Sequence, residues 1–254
     1  MEIEDQVIIE NEDIIIQENS TILFGLAGVG LIGPIIANTI IEQVSDMEQL
    51  GFITSEDLPP IAVFYDGVLR HPFRLFYSQK HNIIVGICEV PFQSSSAYNG
   101  LSKALCKWAL SETVRAKEIV IFQGIPKKGE IDEFPVYYAA EHDKIESLES
   151  LGIKKLKKGI IVGPEATFLN QALTNKLQAY ALFTPVSQYP TPEGAAAIIE
   201  TLNDLYNLEV DTNHLIEEGK KIKKKMLELA EKAQEYQRKQ LGEAKRKGYD
   251  RYFQ

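Results

Sequence analysis

Short apolar runs alternate along this chain with stretches of helical periodicity, and the alternation predicts strands and helices in turn. Val7-Ile8-Ile9 and Ile14-Ile15-Ile16 flank Asn11-Glu12-Asp13, which predicts an N-terminal hairpin. Residues 21–26 read as a buried strand. Pro34 then sits where a first helical turn tolerates it, and Ile35, Ile36, Ile40, Ile41 and Val44 give the following helix one apolar face. Further strands are expected at residues 61–65, 73–77, 83–88, 118–122, 136–140, 159–162 and 179–183. Helices are expected at 97–114, with Leu101, Leu105, Trp108 and Ala109 on one side, and at 166–176 and 193–206. Strands interleaved with helices predict an α/β fold with a mostly parallel sheet covered on both faces. Without an internal repeat or a Ser/Gly linker, one domain over residues 1–210 accounts for the body.

Beyond residue 210 the pattern changes. Leu215, Gly219, Ile222, Met226, Leu229, Ala233, Tyr236 and Gln240 fall at alternating spacings of four and three, a narrow apolar seam among charges. A helical arm is expected over 211–247, with a tail at 248–254. The seam fits either the parent body or a neighbouring subunit's arm.

Charge divides the chain at the same place. The formal net charge is −9, yet from Glu217 to the end 12 Lys and Arg stand against 7 Asp and Glu, or +5. The first 216 residues therefore hold 15 basic and 29 acidic groups, or −14. Such an acidic body argues against nonspecific nucleic-acid binding. Cys88 and Cys106, the two cysteines, read as small buried hydrophobes and are too few for a Cys-based zinc site. Met1-Glu2-Ile3-Glu4-Asp5 does not read as a signal peptide, so a cytoplasmic location is expected. Residues 19–41 form a charge-free run of 23, long enough by count to cross a bilayer. Gly25, Gly28, Gly30, Gly33 and Pro34 in its middle favour strand, turn and helix within a core, so no membrane span is expected.

Gly28-Val29-Gly30-Leu31-Ile32-Gly33 matches the dinucleotide fingerprint, in which glycines let the backbone approach a pyrophosphate at a helix N-terminus. The motif also needs an acidic strand end about 20 residues on. Here that place reads Gly51-Phe52-Ile53-Thr54, and close strand-to-helix packing explains the same glycines. Asp66-Gly67 could mark a catalytic edge with Glu89, but it is also an ordinary hairpin-turn dipeptide. His71, His81, His142 and His214 lack metal-ligand spacing, and Ser94-Ser95-Ser96 lacks the glycine-flanked nucleophile elbow. These residues by themselves assign no catalytic, cofactor or metal site.

Several segments in consistent order resemble the proteasome assembly chaperone two family in its archaeal form. They are residues 24–33, residues 58–67 from Leu58-Pro59-Pro60 to Asp66-Gly67, Trp108-Ala109, Gln123-Gly124-Ile125-Pro126, Gly163-Pro164, and Tyr189-Pro190-Thr191-Pro192-Glu193-Gly194-Ala195-Ala196. The resemblance implies a three-layer α/β/α sandwich of the phosphorylase/peptidyl-hydrolase-like kind, without enzyme activity or cofactor. It also implies a homo-oligomer that assembles, caps or activates the proteasome through its α-subunit ring, independently of ATP. Members carry a C-terminal hydrophobic-Tyr-any motif that inserts between α subunits. Tyr252 takes the hydrophobic place here, Phe253 the Tyr place, and Gln254 bears the terminal carboxylate. Phe253 keeps the ring but lacks the phenolic hydroxyl, and so a hydrogen bond of about 0.5–1.5 kcal/mol. The alternative expectation is a nucleotide- or small-molecule-dependent enzyme using the Gly28–Gly33 turn and the Asp66 edge.

Overall fold

Nine strands form one sheet among the described residues, which in this computed structural model are 5–55, 61–91, 95–221 and 224. In chain order they are β1 (Gln6–Ile9), β2 (Thr21–Leu26), β3 (Met47–Thr54), β6 (Phe73–Ser78), β7 (Ile83–Cys88), β8 (Glu118–Pro126), β9 (Tyr137–Ala140), β10 (Lys154–Lys155) and β11 (Gln178–Val186). Their spatial order is β1-β3-β6-β7-β2-β8-β11-β9-β10, and β4 (Val63–Tyr65) pairs separately with β5 (Val68–Arg70). The centre is parallel: β7, β2, β8 and β11 all run the same way, with β8 and β11 in register from Glu118↔Gln178 to Pro126↔Val186. Antiparallel strands extend it on both sides, β6 beside β7 and β9 beside β11.

Central strands buried on both faces should be continuously apolar, and β2 is buried at all six positions. Alternate residues supply two cores. Ile22, Phe24, Ile119, Ile121 and Ala181 face α2 (Ser95–Ala109) and α4 (Pro164–Thr174). Leu23, Val120, Phe122, Tyr180 and Leu182 face α1 (Ile32–Gln43), α3 (His142–Ser150) and α5 (Pro192–Tyr206). The result is the expected α/β/α sandwich. Residues 19–41 are thus strand, turn and helix, and among the described residues no helix is long and apolar enough to cross a membrane.

Two local expectations are corrected. Val7-Ile8-Ile9 does not form a hairpin with Ile14-Ile15-Ile16; β1 pairs antiparallel with β3, from Gln6↔Thr54 to Ile9↔Gly51, and the second run is irregular. Residues 159–162 are likewise no strand, because Ile161 alone packs on the core while Ile160 and Val162 are 91% and 74% exposed. Both cysteines are free and buried, as small hydrophobes, and burial pushes the Cys88 thiol up to about 12 and that of Cys106 to about 11. The start of the arm rests on the body: residues 213–221 are helical, Leu215 is buried among the α1/α5-side core residues, and Gly219 lies against Glu193.

Candidate interaction surface

Four parallel strands end at one edge of the sheet, where ligands and partners of open α/β folds gather. The first segment there is the Gly28–Gly33 turn. Gly30 has φ 73°, and a Cβ on it would lie 2.8 Å from that of Val186; Gly33 sits so close to β2 that its Cβ would be 2.5 Å from the Leu26 nitrogen. These glycines let helix, strand and the end of β11 close on one another. The strand following α1 in sequence is β3, separated from β2 by β6 and β7 and ending at Thr54 without an acid. The dinucleotide motif needs an acidic residue on a neighbouring strand end instead. Gly30 also accepts a 2.9 Å hydrogen bond from the Thr191 amide, tying the turn to the segment before α5.

Glu89 at the end of β7 does carry a carboxylate to this edge. Arg74 on β6 donates to it at 2.5 Å, with side chains 8% and 14% exposed, and Tyr65 and Asn38 donate to its other oxygen. The Arg74 guanidinium also lies 5.3 Å from the centre of the Tyr65 ring. Glu89 is therefore engaged by a cation rather than paired with a second carboxylate. Asp66 and Gly67, with φ 49° and 78°, form the two-residue turn of the β4–β5 hairpin, both residues in the left-handed region that a type I′ turn requires. His71 stacks on Phe52 with ring centres 3.5 Å apart.

Glu165, in the first turn of α4, lies with its carboxyl against Gly28 and Gly163 and is only 3% exposed. A helix N-terminus favours the charged form, but burial wins and raises the carboxyl from 4.5 to about 7. A folded-state value above the unfolded one means that the native protein holds the extra proton, so stability is fully present below about pH 4.5 and falls as pH rises toward 7. Glu165→Gln is expected to flatten that slope and to be the more stable protein at pH 8, by up to about 3 kcal/mol. Urea denaturation at pH 5 and pH 8 measures both effects.

Exposed large hydrophobics concentrate along this edge: Val29, Leu31, Phe64, Leu69, Val162 and Tyr189 are each 41–74% exposed. Leu31 holds φ 52° as the residue capping α1, a conformation costly for a bulky side chain. Beyond the ends of β8 and β11 a cavity of about 250 Å³ opens, walled by Ile131, Phe134, Tyr189, Pro190, Glu193 and Gly219 among others. An edge of this kind, apolar and supported by a buried ion pair, suits protein contact. The sequence signal for it was present in Val63-Phe64-Tyr65-Asp66-Gly67-Val68-Leu69, where apolar residues on both faces of a two-stranded ribbon leave one face uncovered. Glu165 gave no such signal, because its burial comes from segments distant in sequence. Tyr252, Phe253 and Gln254, the partner-binding residues expected from the sequence, lie outside the described residues.

The PAC2 family model matches residues 22–230. A protein of unknown function from Thermoplasma acidophilum is 35% identical, with a TM-score of 0.71 over 88% of this chain and 90% of that one. PbaA of Pyrococcus furiosus, an archaeal homolog of proteasome-assembly chaperone, is 27% identical, with a TM-score of 0.79 over 93% of this chain and 95% of its own. An uncharacterized protein of Methanocaldococcus jannaschii is 28% identical over 217 residues, 84% of this chain and 87% of that protein.

Proposed function

The chain belongs to the PAC2 family, and from that premise we propose that it is an ATP-independent proteasome assembly chaperone or adaptor/activator. In this reading it acts in the cytoplasm as a homo-oligomer, without catalysis of its own, and engages the proteasome α-ring through its C-terminal tails. The observation that carries the proposal is the similarity to PbaA along 93% of the chain. The charge division supports it, because a +5 segment ending in Tyr252-Phe253-Gln254 leaves a −14 body. A terminus of that kind offers an aromatic ring and a carboxylate together. Single tails need bind only weakly, since linked sites raise effective concentration and lift avidity by about 10²–10⁴.

The test is capture of proteasome α subunits by the intact protein and by a form lacking Tyr252-Phe253-Gln254. The trimmed form is expected to lose most binding while keeping its oligomer and melting temperature, because the deletion touches no residue of the described cores. Phe253→Tyr is expected to bind at least as well as the parent. Phe253→Ala loses about 1.5–3 kcal/mol per contact where the ring is fully buried. Equal capture by the trimmed and intact proteins would refute tail docking.

A further inference from the structure

Glu165 sits where two glycine-bearing segments of the sheet edge meet. A Cβ on Gly28 would lie 2.9 Å from one oxygen of its carboxyl, and a Cβ on Gly163 2.9 Å from the other. The buried carboxyl is thus sandwiched between the Gly28 turn and the segment at residues 159–163. That segment is a short flap bounded by glycines. Gly163 takes φ 109°, a conformation open to glycine, and a Cβ on Gly159 would meet nothing within 4 Å. Between them Ile161 alone packs on the core, and the Gln123 amide donates to the Val162 carbonyl at 3.2 Å, the one hydrogen bond of residues 159–162 among the described residues. Flap and turn also carry Ile160, Val162, Val29 and Leu31, all exposed.

We propose that Glu165 is a latch: as the neutral acid it seats the flap against the Gly28 turn, and on losing its proton it releases the flap to open about Gly159 and Gly163. Nothing around the carboxyl supports its charged form. Residues 24–35 of the turn and α1, 119–126 of β8, 159–164 of the flap and 166–174 of α4 contain no titratable side chain. Helix α2, which shares a core with α4, brings Tyr98, Lys103 and Lys107, both lysines exposed; Lys158 before the flap is exposed too, and Tyr180 of β11 faces the other core. Burial therefore raises the carboxyl to about 7 against a single bond from its own amide. A carboxylate in that place is desolvated without compensation, whereas in water it has its ordinary value of 4.5. The closed form holds the proton, so opening is favoured as pH rises through neutrality. Against it stand the Gln123 bond and the core contacts of Ile161. Release takes Gly159 and Ile161 out of the wall of a 340 Å³ groove that Ala139, Ala140 and Ala179 also line, and parts Ile160 and Val162 from Val29 and Leu31. The candidate surface then has two forms, one on each side of neutral pH. This is a property of the chain alone and stands apart from the proteasome reading.

Labelling of Ile161→Cys by a thiol reagent reads the flap, in the full chain and in the same chain carrying Glu165→Gln, whose amide cannot ionise. The ratio of the two rates at one pH cancels the ionisation of the thiol itself, and Cys88 and Cys106 are buried. The ratio is expected to rise about tenfold or more from pH 5 to pH 8, because most of the interval between 4.5 and about 7 lies in that range. A ratio independent of pH would overturn the latch, showing a carboxyl that ionises in place or is charged throughout. Hydrogen exchange by mass spectrometry, on chains without the cysteine change, guards against a loosened variant. Residues 156–168 are expected to exchange faster in the parent than in Glu165→Gln at pH 8, and by a much smaller margin at pH 5, while residues 118–126 of β8 exchange alike in both. Equal loosening of β8 would mean destabilisation of the whole fold and would likewise overturn the proposal.

Discussion

Lys144→Met is expected to lower unfolding stability by about 3–5 kcal/mol, the range for breaking a buried ion pair from one side. Glu118 begins β8 and its side chain is 1% exposed; the Lys144 ammonium of α3 stands 2.7 Å from its Oε2, itself 13% exposed. Thr21 and Tyr206 donate to the other oxygen at 3.3 and 3.0 Å, and the Tyr206 hydroxyl lies 2.6 Å from that of Tyr180. Those hydroxyls solvate the carboxylate but cannot neutralise it. Without Lys144 the buried carboxylate loses its ion-pair partner. Glu118→Gln added to Lys144→Met is expected to restore most of the loss, since a neutral amide needs no counter-charge. Urea midpoints of the single and double variants decide the matter; a single variant within about 0.5 kcal/mol of the parent, the usual range for a surface change, would show that the pair contributes little.

Gly33→Ala comes second. In an exposed helix this exchange stabilises by about 1 kcal/mol, so propensity alone predicts a gain. At this position the added Cβ would lie 2.5 Å from the Leu26 nitrogen and 2.9 Å from the Gly25 carbonyl carbon, both backbone atoms of the central strand β2. Neither can yield like the end of a side chain, so α1 must lift from the sheet face that carries Leu23, Val120 and Leu182. Overpacking typically costs about 1–3 kcal/mol and sometimes more, and with an immovable backbone on one side we expect about 3 kcal/mol or more net loss. Thermal unfolding of the variant gives the sign directly. A rise in melting temperature would mean that helix and strand are less closely packed than these distances require.

Much of this architecture is legible in the sequence, and what is missed follows from a shared physical cause. The central strands β2, β7, β8 and β11 declare themselves because burial on both faces leaves little room for polar residues. Strand β3 does not: Glu48 and Gln49 interrupt it, and it bulges between Gln49 and Gly51. Without β3 in view, the apolar run at residues 7–9 has only its local twin at 14–16 as a partner. The glycines of residues 28–33 can be read as a phosphate cradle or as packing, and the distances to Val186 and Leu26 decide for packing. Glu89, Arg74 and Glu165 are invisible as a group because the edge is assembled from loops far apart in the chain. The resemblance, by contrast, identifies family and fold in advance, since it reads the order of short motifs rather than their contacts.

The order in which the sheet is built has a consequence for synthesis. Thr21 pairs in register with Glu118, and Glu118 with Gln178, so the middle of the sheet joins strands drawn from three distant parts of the chain. Pairings so non-local fold slowly, because loop closure must precede any gain from contact. A nascent chain halted before Gln178 would hold β2 and β8 with one flank of β8 bare, an open and strongly apolar ribbon edge. On a ribosome elongating at about 5–20 residues per second, that edge waits several seconds for its neighbour. A protein whose proposed task is to guard other subunits during their assembly thus passes through a stage in which it needs guarding itself.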